Sequence, residues 1–424
     1  MKKRETQSLH ISERNPKMTN EEALIRAEFP ILGQDGLAYL DNAATTHKPG
    51  CVLDAVNDYY YHSNANPLRG LYSLSVAATE AYADARETVR DFIHAADAAE
   101  IIFTRNASES LNLIAYSYGM NFLTAGDELV VAISEHHSNL LPWQLVAEKT
   151  GADLVYLECA PDGNYTPEML QAVITEKTRL VAIAQISNIF GRKLNIKAFA
   201  DVCHKNGAVL VCDGAQSVPH TPVDVQDLDV DFLVFSGHKM YAPMGVGVLY
   251  GKRALLEKMP PFLRGGEMIE YVTREGATYA ELPHKFEAGT VNAAGAAGLA
   301  AAIGYYQKLG FENIVAREEQ LSEAAYNALT AIPHLRLLGA ADAKAHHGIF
   351  TFTVEGVHPH DIAEILNADG VCIRAGHHCA QVLMQHLCTP STARASLAFY
   401  NTEEEIARLA ESLASVRRRM GYGE

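Results

Sequence analysis

Residues 211–216 read VCDGAQ and residues 235–239 read FSGHK, and these two stretches decide the fold. Each contains the end of a short, almost wholly apolar run, which is typical of a strand buried on both faces of a parallel sheet. Asp213 closes the first run, and Lys239 lies just past the second. We therefore expect both side chains at the carboxyl edge of an α/β sheet, where such sheets bind ligands.

A carboxylate and an amine at this edge suit pyridoxal phosphate. The cofactor needs an amine for its Schiff base and an aspartate that keeps the pyridine nitrogen protonated. On these two stretches alone, a buried ion pair between Asp213 and Lys239 is the alternative interpretation. The other motifs of the chain favour the cofactor.

Composition excludes several classes of protein. The chain has 424 residues, enough for a large core and more than one domain, and its 48% hydrophobic and 20% charged residues are ordinary for a globular protein. The formal net charge of -16 argues against sequence-independent binding to nucleic acid. The sequence shows neither a signal-peptide pattern nor an apolar run of membrane-spanning length.

The cysteines indicate a reducing compartment. There are 7 of them, an odd number at scattered spacings and without a CxxC pair. This pattern argues against a disulfide framework or a structural zinc site. We therefore expect a cytoplasmic protein in which any important cysteine acts as a reactive thiol.

The order of apolar and polar runs predicts two sets of elements. In the first, strands alternate with helices, as in a mostly parallel α/β sheet. Its strands are predicted at 101–103, 129–133, 154–157, 180–186, 208–212, 232–235 and 246–250, with helices at 76–94, 108–118 and 196–206. The second set is a smaller α+β domain with strands at 348–354 and 370–374 and helices at 359–369 and 402–420.

Three more polar motifs follow predicted strands. Ser108 lies at a helix start whose free N–H groups suit a phosphate, although the serine on its own favours a simple N-cap. His136 is expected to stack on a planar cofactor ring, because a metal at the adjacent histidines lacks a third ligand at a recognised spacing. The amide of Asn188 is predicted at the same edge, and core packing does not easily explain this convergence of polar groups.

The second domain brings a nucleophile and a cation. Cys379 follows His377 and His378 in a glycine-containing loop, where neighbouring imidazolium groups favour the reactive thiolate. A lone loop cysteine usually has no function, but the other six cysteines lack such neighbours. Arg394 has a semi-apolar setting that suits a buried guanidinium clamping a carboxylate, with a surface charge as the alternative.

The motifs together carry a family resemblance. The chain resembles the SUF-type (group II) cysteine desulfurases, which are pyridoxal-phosphate enzymes of fold type I in the class V aminotransferase group. The similarity runs from Thr19 to the C-terminus and rests on the motifs YLDNAA at 39–44, EHH at 135–137, DGAQ at 213–216, SGHK at 236–239, FEAGT at 286–290, RAGHHC at 374–379 and RASLA at 394–398.

The resemblance implies an α/β fold with a mostly parallel seven-stranded sheet in a large domain, a smaller C-terminal α+β domain, and a homodimer with the active site near the subunit interface. We expect a disordered extension at 1–17, because it has no apolar periodicity. The expected units after it are an N-terminal segment at 18–38 that packs with the small domain, the large cofactor-binding domain at 39–293, and the small domain with the cysteine loop at 294–424.

The resemblance also implies a role for each motif. Lys239 would bind the cofactor covalently and shuttle the Cα proton, and Asp213 would pair with the pyridine nitrogen. The other implied cofactor contacts are Gln216 at the phenolic oxygen, His136 on the ring, and Ala107, Ser108, Ser236, His238 and the partner subunit's Thr290 at the phosphate. The implied substrate contacts are Asn188 and Arg394 at the carboxylate, with Arg374 beside the cysteine loop. Cys379 would attack the substrate sulfur.

The expected reaction converts L-cysteine to L-alanine and leaves a persulfide on Cys379, for iron-sulfur cluster assembly through a small acceptor protein of the SUF system. A selenocysteine lyase or a pathway-specific C–S lyase is the alternative within enzymes. A catalytically silent homologue is the alternative outside them, against which Lys239 and Cys379 argue. Three positions depart from the family pattern: Leu68, Ala107 with the loss of one hydroxyl, and Val382.

Overall fold

The computed structural model describes residues 20–422. The disorder predicted for residues 1–17 lies outside this range. The strands are β1 (Ala38–Tyr39), β2 (Ile101–Thr104), β3 (Glu128–Ala132), β4 (Asp153–Leu157), β5 (Thr178–Ala184), β6 (Val209–Asp213), β7 (Phe232–Ser236), β8 (Gly247–Gly251), β9 (Ile269–Val272), β10 (Ala277–Tyr279), β11 (Leu335–Leu337), β12 (Ile349–Val354), β13 (Val371–Cys372), β14 (Arg374–Gly376) and β15 (Thr392–Ser396).

Helices surround these strands. They are α1 (Asn20–Ala27), α2 (Gly50–Asp58), α3 (Ser73–Phe92), α4 (Ala107–Ile114), α5 (Met120–Phe122), α6 (Leu141–Thr150), α7 (Pro167–Val173), α8 (Ile196–Lys205), α9 (Val225–Leu228), α10 (Arg253–Lys258), α11 (Ala293–Leu309), α12 (Phe311–Thr330), α13 (Pro359–Ala368), α14 (Gln381–His386) and α15 (Glu403–Arg419). Within residues 20–422, every helix is too short or too polar to cross a membrane.

The large sheet has seven strands in the order β2-β8-β7-β6-β5-β3-β4. Strands β3 to β7 are parallel to one another, β8 is antiparallel to both of its neighbours, and β2 therefore runs with the parallel set. All seven predicted strands of this sheet are confirmed. As a consequence, six strands of the sheet deliver the chain segments that follow them to one edge.

Both faces of this sheet are buried, which explains its nearly continuous apolar strands. Along β7, Leu233 and Phe235 pack into one core, and Phe232 and Val234 pack into the other. The alternation follows from the two-residue period of a strand. Helices on both faces hold the sheet rigid, so the loops at its carboxyl edge start from fixed positions.

The small sheet has four antiparallel strands in the order β11-β12-β15-β14. Helices α12, α13 and α15 pack with it in a separate core that includes Phe350, Phe352 and Leu413. The predicted strand at 370–374 is interrupted: β13 pairs in parallel with β1, and β14 pairs with β15. The short strands β1, β11 and β15 were not predicted, because two to five residues carry too little periodicity.

The domain boundaries remain a prediction. Helix α11 begins at the predicted boundary, at Ala293, and packs mainly against α2 and α3 of the large domain. The N-terminal segment reaches the small domain through the pairing of Ala38 with Val371 and through the ion pair of Arg26 with Glu405, whose Nη1 and Oε1 atoms lie 3.0 Å apart.

Candidate active site

A cavity of about 200 Å³ lies between the carboxyl edge of the large sheet and the small domain. Its lining contains all but one of the residues that the sequence predicts for the site. These are Ala107, Ser108, His136, Asn188, Asp213, Gln216, Ser236, His238, Lys239, Arg374, Cys379 and Arg394. Thr290 lies elsewhere, on the exposed surface, with its hydroxyl 3.3 Å from Oδ1 of Asn66. Its predicted contribution from the partner subunit remains a prediction.

Asp213 and Lys239 form the base of the cavity. Asp213 ends β6, and its buried Oδ1 accepts a hydrogen bond of 2.9 Å from the main-chain N–H of Ala215. Burial raises the pKa of this carboxyl, and the Lys239 ammonium opposes the rise. Burial also lowers the pKa of Lys239 to about 8. A lysine that releases its proton near neutral pH suits both covalent capture of a carbonyl and proton transfer.

The residue before Lys239 is held in place by the segment after β1. The carbonyl oxygen of His238 accepts hydrogen bonds from Oγ1 of Thr45 at 3.0 Å, from the main-chain N–H of Thr46 at 3.1 Å, and from Nζ of Lys48 at 3.0 Å. These contacts fix the turn that carries Lys239. Burial lowers the pKa of His238 itself to about 4, so its ring is neutral.

His136 follows β3 and presents a neutral ring to the cavity. Its pKa is lowered to about 3 by burial and by the nearby Lys239 ammonium. Nδ1 accepts a hydrogen bond of 3.1 Å from the main-chain N–H of Ser138, so the proton of the neutral ring sits on Nε2. A neutral, oriented imidazole is suited to stack on a planar ring, as the sequence predicts.

Three hydroxyl groups gather where α4 begins. The cap of this helix is Asn106, whose side chain accepts a 3.0 Å hydrogen bond from the N–H of Glu109, so the N-cap interpretation of Ser108 is wrong. The Oγ atoms of Ser108 and Ser138 lie 2.6 Å apart. The Oγ of Ser236 accepts a 2.9 Å hydrogen bond from the N–H of Ala107. Hydroxyls at a helix N-terminus are suited to a phosphate.

Arg394 forms the wall on the small-domain side and is 3% exposed. One Nη donates to the main-chain oxygen of Asn188 at 2.9 Å, and the other lies 3.4 Å from Oδ1 of Asp41. Its Nε is buried without a hydrogen-bond partner. Burial lowers the pKa of Arg394 to about 10, which leaves the guanidinium charged. The surface-charge alternative is wrong, and the unpartnered donor fits a carboxylate ligand.

Cys379 lies in a loop of four residues, 377–380, between β14 and α14. His378 and Cys379 both have left-handed backbones, with φ of 51° and 58°. A non-glycine residue pays of order 1–3 kcal/mol for such a conformation, so the surroundings must hold the loop. The short loop keeps the thiol in the wall of the cavity.

The histidine that precedes Cys379 is neutral. Burial and the nearby Arg394 guanidinium lower the pKa of His378 to about 3, so this ring is neutral and is not the imidazolium expected from the sequence. The charged groups that interact with the sulfur of Cys379 include Lys239 and Arg394. The cations beside Cys379 are therefore the cofactor and substrate contacts, and His378 is not one of them.

The donor set fits pyridoxal phosphate. The amine of Lys239 and the carboxyl of Asp213 line one cavity, with the neutral ring of His136 in the same wall. Gln216 donates one amide hydrogen to the carbonyl of Ala43 at 2.9 Å, which leaves its second hydrogen for an oxygen acceptor. The hydroxyl cluster around Ser108 completes a phosphate cradle.

Sequence reasoning missed several residues of this site. Asp41 occurs in the quoted YLDNAA motif without an assigned role, and its contact with Arg394 depends on the tertiary fold. Asn106 and Ser138 lie just past predicted strands and outside the quoted motifs, and they contact Glu109 and Ser108. The serine, threonine and asparagine residues that follow predicted strands were a usable signal for these contacts, because such residues cap helices.

Comparison with known proteins also indicates a pyridoxal-phosphate enzyme. The family model of the class-V aminotransferases matches residues 38–409. A cysteine desulfurase of Pectobacterium atrosepticum is 46% identical over 402 residues, which are 94% of this chain and 98% of the relative. The chain belongs to the cysteine desulfurases of the class-V aminotransferase family.

Solved structures of this family share the architecture. The cysteine desulfurase CsdA of Escherichia coli superposes with a TM-score of 0.87 at 38% identity, covering 94% of this chain and 98% of that one. A cysteine desulfurase of Thermococcus onnurineus gives a TM-score of 0.89 at 37% identity with the same coverage. The predicted fold and enzyme class are thereby confirmed, and pyridoxal phosphate is the cofactor that both the fold and the donor set require.

Proposed function

We propose that this cysteine desulfurase converts L-cysteine to L-alanine with Cys379 as the sulfur acceptor, and that the persulfide supplies iron-sulfur cluster assembly through a small acceptor protein of the SUF type. One observation carries the proposal: the thiol of Cys379, the amine of Lys239 and the guanidinium of Arg394 line the same cavity. C–S cleavage needs these three functions within one site.

The residues divide the reaction between them. Arg394, through its unpartnered Nε, and Asn188 orient the substrate carboxylate. Lys239, with its lowered pKa, removes the proton from Cα of the substrate and returns one later. When bound, pyridoxal phosphate supplies the electron sink for these steps, and Asp213 keeps its ring nitrogen protonated.

The sulfur step balances without an external oxidant. The thiolate of Cys379 attacks the substrate sulfur, an S–S bond forms, and the C–S bond breaks with its electron pair moving to the substrate carbon. Protonation of that carbon gives alanine. The persulfide on Cys379 holds the sulfur at the oxidation level that it needs for transfer to a second thiol.

The loop length supports an acceptor that reaches into the cavity. A loop of four residues spans at most about 14 Å when fully extended, and both of its ends are tied to β14 and α14. The persulfide therefore stays inside, and turnover with L-cysteine alone should stall after about one sulfur per subunit. Because the chain carries a net charge of -16, an acceptor with a basic docking face has an electrostatic advantage.

Surface composition supports the proposed homodimer. Tyr61, Leu71 and Tyr72 are 78%, 99% and 57% exposed, and the hydroxyl of Thr290 contacts Asn66 in the same segment of the chain. Several exposed large apolar side chains in one segment of the chain favour an interface. Thr290, which contacts this segment at Asn66, is then available to the partner's cavity. A cytoplasmic location is proposed from the free thiols, because the cysteines of residues 20–422 form no disulfide.

The test measures alanine release from L-cysteine and from selenocysteine, each with and without a SUF-type acceptor protein. We expect a burst of about one alanine per subunit from L-cysteine, then a slow rate that the acceptor raises several-fold. Rapid linear release from L-cysteine without acceptor or added thiol would favour an independent C–S lyase. Turnover restricted to selenocysteine would favour a selenocysteine lyase.

A further inference from the structure

The cysteine loop, residues 377–380, is tied to the large domain at its two strained residues. The main-chain N–H of His137 donates a 2.6 Å hydrogen bond to the carbonyl of Cys379. The amide of Asn188 donates a 2.8 Å hydrogen bond to the carbonyl of His378. Because left-handed conformations of these residues are sparsely populated, such ties are what keep the loop in place.

A third tie is made by a side chain. Nε2 of His137 accepts a 3.1 Å hydrogen bond from the main-chain N–H of Gln381, the first residue of α14. His137 therefore holds the loop at Cys379 and again at Gln381, two residues further along, from one residue of the large domain. The catalytic steps described above do not use this imidazole.

The side-chain tie depends on protonation. Nε2 accepts a hydrogen bond only when it carries no proton, so the proton of the neutral ring is on Nδ1. Protonation makes both nitrogens donors, and Nε2–H would then meet the N–H of Gln381. The titratable groups around the ring are His377 and Cys379 of the loop and His136 of its own segment, whose ring centroid is 6.4 Å away.

The surroundings of His137 keep its hydrogen bond to Gln381 intact at neutral pH. Burial and the nearby His377 lower the pKa of His137, so the ring is neutral and the hydrogen bond to Gln381 is intact. The sign follows from the direction of the shift: the tie is present above the pKa of His137 and is lost as the pH falls through it.

We propose that His137 is a positioning residue that latches the cysteine loop, and that protonation of its imidazole releases the loop and slows sulfur transfer to Cys379. The inference rests on the proposed role of Cys379 as sulfur acceptor. It adds a pH-dependent control of that residue by a side chain that does not line the cavity.

The test compares His137→Ala with His137→Gln, whose side-chain oxygen can accept the hydrogen bond of Gln381 at nearly the Nε2 position but does not titrate. His360→Ala, on an exposed position of α13, is the matched control. Two rates are measured on the holoenzyme: single-turnover persulfide formation from L-cysteine, and alkylation of Cys379 by iodoacetamide, followed by peptide mass spectrometry.

At neutral pH, His137→Ala should slow persulfide formation roughly 3- to 10-fold and speed alkylation by a similar factor, as expected for the loss of one hydrogen bond. His137→Gln and His360→Ala should stay within about twofold of the wild type. The ratio of the wild-type to the His137→Gln persulfide rate should be constant above about pH 6.5, the ordinary histidine value, and fall as the pH drops below it, because only the wild-type latch titrates and its pKa is lowered.

An unchanged alkylation rate of Cys379 in His137→Ala would contradict the proposed role of His137. A ratio of wild-type to His137→Gln persulfide rates that does not change with pH would contradict it as well. The alkylation rate reports on the loop whether or not Cys379 accepts sulfur. If Cys379 is not the sulfur acceptor, the wild type will carry no persulfide on this residue, but the difference in alkylation rate between the wild type and His137→Ala will remain.

Discussion

Arg374 and Arg394 lie directly opposite each other on the antiparallel strands β14 and β15. Like charges at opposite positions of neighbouring strands destabilise a sheet. An anion bound between the two guanidinium groups would be stabilised by both of them. Asp41, 3.4 Å from Arg394, neutralises one of the two charges only in part. Both residues line the cavity, and we therefore expect the pair to bind a carboxylate there.

We expect Arg394→Gln to raise the KM for L-cysteine roughly 10- to 100-fold, since hydrogen bonds to charged groups contribute about 1.5–3 kcal/mol. The exposed Arg374 makes the matched comparison, and Arg374→Gln should have the smaller effect. Steady-state kinetics with a saturating acceptor separates KM from kcat. Equal and small changes of KM in both variants would contradict the carboxylate site.

Lys239 should capture the cofactor at a lower pH than an ordinary lysine. Burial lowers its pKa to about 8, and only the neutral amine forms a covalent bond with a carbonyl. The rate at which the apo-enzyme binds pyridoxal phosphate covalently should therefore rise with pH around a midpoint near 8. Visible absorbance follows the reaction. Lys239→Arg should show no covalent capture, and a midpoint near the ordinary lysine value of about 10.4 would contradict the prediction.

Ser138 should replace the hydroxyl that is missing at Ala107. Its Oγ lies 2.6 Å from that of Ser108, at the start of α4. We expect Ser138→Ala to raise the dissociation constant of pyridoxal phosphate roughly 2- to 12-fold, the range for one net hydrogen bond. Equilibrium dialysis of the apo-enzyme measures it. Ser415→Ala, which removes one hydroxyl donor outside the cavity, is the control and should bind as the wild type does.

The ion pair of Arg86 with Glu287 should be the stability anchor of the loop that carries Thr290. Both residues are buried, and Glu287 also accepts a 2.7 Å hydrogen bond from the N–H of Phe103. Arg86→Met leaves this carboxylate buried without a charged partner, and we expect it to lower the free energy of unfolding by about 3–5 kcal/mol.

The control for that change is Arg69→Met, because Arg69 pairs with Glu267 on the surface and is 55% exposed. Its loss should lower the free energy of unfolding by less than about 1 kcal/mol. Urea denaturation followed by circular dichroism compares the two variants. A loss of equal size in both would show that burial of the Arg86 pair has no special effect.

The sequence predicts the large sheet well because its strands are apolar on both faces and end in polar motifs. The position of Asp213 and Lys239 follows from that pattern alone. The small sheet is harder, because β15 contains the buried Arg394 within only five residues. No sequence pattern reveals that Arg394 and Arg374 are paired in register.

The protonation states of the side chains in the site could not be predicted from the sequence either. Two adjacent histidines beside Cys379 suggest a positive charge, yet burial keeps His378 neutral. Burial, which depends on distant parts of the chain, decides the protonation of such a residue. The contact between the Oγ atoms of Ser108 and Ser138, 30 residues apart, likewise arises only when β2 and β3 end at the same edge.

The most direct test of the central claim locates the sulfur after one turnover. The holoenzyme is mixed with one equivalent of L-cysteine, free thiols are blocked, and peptides are analysed by mass spectrometry. We predict one extra sulfur atom on the peptide with Cys379, no persulfide in Cys379→Ser, and an unchanged result in Cys388→Ser, which removes an exposed cysteine. An extra sulfur on Cys51 or Cys388, with Cys379 unmodified, would contradict the account.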